Sequence, residues 1–351
     1  MSVNYRNIVK LILLIVAVII TQTSCKAAST EPVSREEFLL DTICNISIYE
    51  MKDGDGNVAA QKNKDKAEKI IDDAFELCRN LESKLSRTKA DSDVGRINSS
   101  GGEWTEVGPE TMELIQKGLE YSELSGGGFD ISVGGVTELW DFHAAEGEAR
   151  LPDERELAEA VKHVGFANIE TEGNRVRLKD PDAKIDLGGI AKGYIGDKMC
   201  EALKEAGVTS GIINLGGNVI CIGSKPSGED FSIGVETPYS DRTEIAGKVG
   251  VTDKTLVTSG VYERKMEVDG EVYHHILDTK TGYPVDTDVS GVTLIADTGR
   301  SADIDALSTI CLIKGPEEGM KLIEGMDGIE AVFILKDGSV KMTDGASFEE
   351  E

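Results

Sequence analysis

The chain has 351 residues, with 37 Lys and Arg against 64 Asp and Glu, for a formal charge of −27. So acidic a balance excludes a partner held through a phosphate backbone, and no nucleic-acid role is expected. Hydrophobic residues at 40% and charged residues at 29% mark a core-forming chain rather than a disordered acidic one, while four His and no CxxC pair disfavour zinc and favour oxygen ligands for any metal.

Residues 1–24 begin with Arg6 and Lys10, run apolar over 11–20 and turn polar just before Cys25. This is the layout of a secretory signal, too short to span a bilayer. A Cys directly after it resembles a bacterial lipoprotein, whose Cys is acylated. The expected division is a signal peptide (1–24), a lipidated tether (25–37) and one domain (38–351), anchored to the membrane through Cys25 on the outer face of the cytoplasmic membrane. The other five Cys, at 44, 78, 200, 221 and 311, are odd in number and widely spaced. They read as buried reduced thiols.

Along the body, residues 41–49 alternate as a strand does, and KDGDGN after them is a turn. That turn is no calcium loop, because Val58 stands where such a loop needs Gly and Lys64 where it needs Glu. Ala67, Ile70, Ile71, Ala74, Leu77, Leu81 and Leu85 fall at intervals of three and four and predict an amphipathic helix over 66–87. Further helices are expected over 110–124 and 153–163, with SGGGFDISVGG between them. AKIDLGGIAKGYIGDKMCEALKEAG then reads as a short strand, a Gly turn and a helix stopped at Gly207. Ten short strands follow between 210 and 340, two of their turns carrying Asp-Gly (269–270 and 337–338). Helices at 301–314 and 316–325 interrupt them. Strands in hairpin order with clustered helices, undivided by any linker, predict a single α+β domain of mixed, largely antiparallel strands.

GxxxxGK[ST], GxGxxG after a strand and GxSxG are all missing, which removes the P-loop, Rossmann and α/β-hydrolase readings. In IDLGGIAKG, Asp186 precedes two glycines and Lys192 at the mouth of a helix, where backbone can approach a phosphate or metal closely. Asp305 and Thr309 stand four apart on a helix and share a face, a carboxylate and hydroxyl suited to Mg²⁺. GGGFDIS sets Phe129 and Asp130 after flexible backbone, where a planar ligand or ribose could be gripped. In YHHILDTKTGYP, strand alternation points His274 and His275 to opposite faces, one toward a site and the other solvated.

Together FLLDT, LSRTKADSDVGRIN, GGGFDISVGGVTELW, IDLGGIAKGY, INLGGNV, VTSGVYER, HHILDTKTGYPV and DALST resemble the ApbE family of FAD:protein FMN transferases, in the family's order, from about residue 38 to 313. The resemblance implies an α+β fold of T-fold type around a flavin cavity. It also implies Mg²⁺-dependent transfer of FMN from FAD to a Ser or Thr hydroxyl of an exported or membrane redox protein, releasing AMP. By motif, Asp186 and Lys192 contact FAD, and Gly189 offers its carbonyl to Mg²⁺ beside Asp305 and Thr309. Gly128, Phe129, Asp130 and Ile276 line the cofactor site, as do Leu40, where the family often has Met, and Thr88, where it often has an aromatic residue. His275 is the expected base for the acceptor hydroxyl, with Asp278 as its orienter or alternative. Two other readings use the same residues: an Mg²⁺-dependent FAD pyrophosphatase with water as acceptor, and a lipoprotein that only binds flavin.

Overall fold

A computed structural model describes residues 31–351 apart from 55, 141, 143–148 and 241–243. The signal 1–24 and Cys25 lie outside the described residues. The fold starts earlier than the sequence suggests: strand β1 (Val33–Leu39) pairs along its whole length with β2 (Thr42–Asp53), so residues 33–37 belong to the sheet rather than to a tether.

A nine-stranded sheet forms the centre. β3 (Gly56–Ala59) pairs with β2, and β4 (Val208–Asn214), β5 (Asn218–Ile222), β6 (Lys254–Gly260), β7 (Val289–Asp297), β8 (Ile329–Leu335) and β9 (Val340–Met342) follow β2 in that order. Every pairing is antiparallel. The hairpin-rich second half of the sequence therefore adds strand after strand at one edge, leaving β1 at the other. β7 is buried from Val289 to Ala296 on both sides, which is why it reads as an apolar run and not an alternation.

Helices α1 (Lys64–Leu85), α2 (Pro109–Leu124), α3 (Ala191–Glu205) and α4 (Ser301–Glu324) supply the other half of the main core. α1 buries Ala67, Ile70, Ile71, Ala74, Leu81 and Leu85 of the predicted stripe, together with Phe75 and Cys78, while Leu77 is half-buried. Each large side chain there contributes about 1.5–3 kcal/mol by leaving water. α4 is two helices joined at Gly315 (φ 77°, ψ 178°), where Pro316 cannot continue the ladder of the first.

The opposite sheet face is covered by a three-stranded sheet of Phe231–Glu236, Ile245–Val251 and Phe348–Glu350, whose Phe231, Val249 and Phe348 pack with Leu256, Ile295 and Val332. A third cluster, Val136, Trp140, Leu157, Met266 and Leu277, gathers the helix Glu154–Lys162 and the hairpin Lys265–Val268/Glu271–His274. Asp269 and Gly270 both have positive φ in the two-residue turn of this hairpin, as Asp-Gly predicts. The expected strand at AKID reduces to a single bridge from Lys184 to Val133. All five described Cys are buried and unpaired, and burial raises their thiol pKa values.

Candidate functional site

Turns and element ends from seven parts of the chain surround a cavity of about 360 Å³, within the range of small-molecule sites. The β1–β2 turn gives Leu40 and Asp41, the end of α1 gives Glu82 to Thr88, and the glycine loop gives Gly128, Phe129 and Asp130. IDLGGIAK gives Asp186, Gly189 and Lys192, the end of β6 gives Thr258 to Arg264, and His275, Ile276 and Thr279 close one side. α4 contributes Asp305, Thr309 and Ile313.

Asp305 is held from two directions. Its Oδ2 accepts from the backbone N–H of Gly193 at 2.8 Å. The start of α4 is tied to α3 by Asp197, whose carboxylate accepts from Ser301 N and Ala302 N, both at 3.0 Å. The two helices cross so closely that a Cβ on Gly193 would lie 2.2 Å from Ser301 O. Asp305 is only 4% exposed, and burial pushes its carboxyl up to about 6 against the opposing pull of Lys192. Thr309 follows one turn later on the same face, with no hydrogen bond on its hydroxyl among the described residues. Asn218 lies against Asp305, yet neither of its buried amide atoms has a hydrogen bond of regular geometry. Among the lining residues, a carboxylate, a free hydroxyl and the backbone of Gly189 make an all-oxygen donor set, which fits Mg²⁺. The cluster His163, Asp180 and Asp182 also brings ligand atoms within 4.8 Å of one another, but none of the three lines the cavity.

The lining carries three basic side chains, Arg87, Lys192 and Arg264, against six carboxylates. Two of the cations are already matched, Arg87 Nε to Asp186 Oδ2 at 3.0 Å and Arg264 to Asp41 at 3.8 Å. Lys192 has no ion pair among the described residues. The other oxygen of Asp186 accepts from Gly188 N at 2.8 Å, so this carboxylate shapes the glycine turn and anchors Arg87. Nothing in the local sequence marks Arg87 and Arg264 as site residues. Arg87 stands inside the polar string LSRTK, and Arg264 closes VTSGVYER.

The remaining expected residues divide by geometry. Leu40, Thr88, Gly128, Phe129 and Ile276 all line the cavity. Asp130 does too, but its carboxylate is occupied by Ser132 N and Oγ and by Phe166 N, at 2.7 to 2.9 Å, and so staples the glycine loop to the 163–166 segment. His275 follows the end of the strand and lines the cavity. Its Nδ1 lies 3.2 Å from Arg264 O, which fixes the proton there and leaves Nε2 as the acceptor nitrogen. Burial, with Arg264 and Lys192 nearby, depresses its pKa to about 3. His274 is not solvated as expected; it is half-buried, with Nε2 at 3.2 Å from Val285 O. Asp278 neither lines the cavity nor touches His275. Its Oδ1 accepts from Lys280 N and Thr281 N and builds the turn before Tyr283.

Residues 40–333 match the ApbE family. The chain is 31% identical to the FAD:protein FMN transferase of Treponema pallidum over 328 residues, covering 89% of this chain and 87% of the relative. It is 32% identical to that of Klebsiella pneumoniae over 282 residues, covering 78% and 84%. Among solved structures, its fold is similar to the ApbE protein of Thermotoga maritima, with a TM-score of 0.78 at 32% identity and coverage of 90% and 97%. It is also similar to the flavin transferase ApbE of Vibrio cholerae, with a TM-score of 0.74 at 25% identity and the same coverage.

Proposed function

The chain belongs to the ApbE family of FAD:protein FMN transferases, and from that premise we propose that it moves FMN from FAD to a Ser or Thr hydroxyl of another protein, releasing AMP, with Mg²⁺ required. One observation carries the metal requirement. An anionic dinucleotide must enter a cavity where carboxylates outnumber cations two to one, and the buried Asp305 faces it beside the free hydroxyl of Thr309. Such a field opposes the ligand unless a divalent cation sits between them.

Asp305, Thr309 and the Gly189 carbonyl are the residues that would hold this ion. When bound, Mg²⁺ supplies neutralisation of charge on the pyrophosphate oxygens. Lys192 adds the remaining unpaired positive charge, and Arg87, fixed by Asp186, adds a second anchor. In the transfer, the acceptor oxygen bonds to the FMN phosphorus as the bond from that phosphorus to the AMP oxygen breaks, and the hydroxyl proton leaves. Phosphoryl transfer through a loose transition state needs that proton removed late, after the attacking oxygen has become acidic. A neutral His275 with a bare Nε2 can accept it then, despite its low pKa. Positioning and charge neutralisation therefore do most of the work.

The pattern of residues 1–25 supports export and acylation at Cys25, with seven residues between that Cys and the first strand. The protein then acts at the outer face of the cytoplasmic membrane, on exported or membrane redox proteins. Product analysis tests the reaction. With FAD and Mg²⁺, AMP release that depends on an acceptor protein supports transfer, whereas equal AMP release without any acceptor identifies water as the acceptor.

A further inference from the structure

Two hydroxyl pairs fix α4 on the central sheet. Ser301, in the first turn of α4, shares a hydrogen bond with Thr255 of β6, and Ser308, two turns on, shares one with Ser259 at 2.7 Å. Thr255, Val257 and Ser259 are alternate residues of β6 and therefore share the face turned to α4. Val257, between the two contacts, stands directly opposite Asn218, the first residue of β5. Residues opposite each other on paired strands point the same way, so Asn218 lies on the helix side, between Ser301 and Ser308 and level with Asp305. Gly216 and Gly217 (φ 68° and 103°) make the turn that starts β5 there.

Asn218 is fully buried and does not itself line the cavity. Its amide offers two donor hydrogens and a carbonyl acceptor, yet neither Nδ2 nor Oδ1 has a hydrogen bond of regular geometry. A polar group buried without a partner destabilises the fold, and one that is kept calls for an explanation. The neighbour that supplies it is Asp305, whose carboxylate accepts one regular hydrogen bond among the described residues, from Gly193 N. Burial pushes the Asp305 carboxyl up, and Lys192, the Gly193 N–H and Asn218 all oppose that rise. The residue type suits the place. A Lys or Arg there would compete with a cation for the carboxylate, and an apolar side chain would leave the ionised form with a single donor. A neutral amide donates and leaves the negative charge for the cation.

We propose that Asn218 is a positioning residue of the cation site: its Nδ2–H donates to the ionised Asp305 carboxylate and, with the bond from Gly193, fixes the rotation of that carboxylate so that its remaining lone pairs face the cavity beside Thr309. The amide acts through Asp305 and touches neither FAD nor the acceptor. The inference rests on the Mg²⁺ requirement proposed above and adds the residue that orients its ligand.

The test titrates the full chain with Mn²⁺ in the absence of FAD, reading the unbound ion by electron paramagnetic resonance, in the wild type, Asn218→Leu, Asn218→Ser and Asp305→Asn. Asn218→Leu is close in volume and lacks a donor. It is expected to raise the Mn²⁺ dissociation constant about tenfold, the usual scale for a group that orients a metal ligand, while the metal-free Tm is no lower than in the wild type. The Mg²⁺ concentration for half-maximal transfer should rise by the same factor, with the KM for FAD unchanged. Asn218→Ser keeps a donor and should recover part of the affinity. If Asn218→Leu does not fold, Asn218→Ala takes its place with the same expected loss. Unchanged Mn²⁺ affinity in the donor-free variant, or an equal loss in Asn218→Ser, assigns Asn218 to packing alone and overturns the proposal. Wild-type Mn²⁺ binding that is absent, or that persists undiminished in Asp305→Asn, overturns the metal requirement itself and the proposal with it.

Discussion

The backbone N–H of Gly193 donates to Asp305 Oδ2 at 2.8 Å, and four residues after Gly193, on the same helix, Asp197 caps the helix that carries Asp305. Each helix thus grips the other near its start. The buried Asp305 carboxylate accepts one backbone N–H, and the helix that carries it is capped by the Asp197 side chain.

Asp197 acts through Asp305. Burial raises its own pKa, and the two N–H groups it caps hold that rise down. Asp197→Ala is expected to cost about 1–2 kcal/mol of stability as a lost cap, seen as a lower Tm. It should also raise the Mg²⁺ concentration for half-maximal rate about tenfold, with KM for FAD little changed, and Asp197→Asn should restore part of both. A Tm loss with unchanged metal dependence would leave Asp197 a purely structural cap.

Asp305 makes metal binding depend on pH. Its folded pKa of about 6 lies above the usual carboxylate value, so its contribution to stability is fully present below about pH 4 and is lost as pH rises through 6. A cation that pairs with the ionised form recovers that loss. Mg²⁺ should therefore raise Tm more at about pH 7.5 than at about pH 5, and Asp305→Asn should abolish the difference. An equal Mg²⁺ shift at both pH values would argue against Asp305 as ligand.

His275 titrates in the opposite sense. With its pKa depressed from 6.5 to about 3, the unfolded chain binds the proton first, and stability is lost as pH falls from about 6.5 towards 3. Chemical denaturation of His275→Gln between about pH 7 and pH 4 should show a smaller loss than the wild type. The same low pKa predicts no His ionisation in the rate profile between about pH 5 and pH 8. A rate that falls by half near pH 6.5, and ceases to do so in His275→Gln, would assign it an ordinary basicity.

Arg87 and Lys192 are cavity-lining cations available to an anionic ligand. Arg87→Met removes one and leaves Asp186 unpaired beside the ligand. An FAD KM raised about tenfold, or ~1.4 kcal/mol, with a smaller change in kcat is expected, and Lys192→Met should do at least as much. Titration of FAD by fluorescence quenching measures both.

Much of this was legible in the sequence because it was written in spacing. The stripe from Ala67 to Leu85, most of the short strands between 210 and 340, the break at Gly315-Pro316 and the Asp305–Thr309 pair all follow from local periodicity and turn chemistry. What escaped was long-range. Asp278 looked like a partner for His275 because it stands three residues away, yet its oxygen is consumed by the turn it builds. Arg87 became visible only when the fold brought it 3.0 Å from Asp186, some hundred residues later. The start of β1 reads as tether because KAASTEPVSREE is polar and contains Pro, and only its pairing with β2 makes it a strand.

The most direct test of transfer with Asp305 at its centre is the intact mass of an acceptor protein after incubation with FAD, Mg²⁺ and either the wild-type chain or Asp305→Asn. A mass increase of one FMN less one water on a Ser or Thr, present with the wild type and reduced at least a hundredfold in the variant, is the predicted result. Labelling that persists undiminished in Asp305→Asn, or that never appears while AMP accumulates, would contradict it.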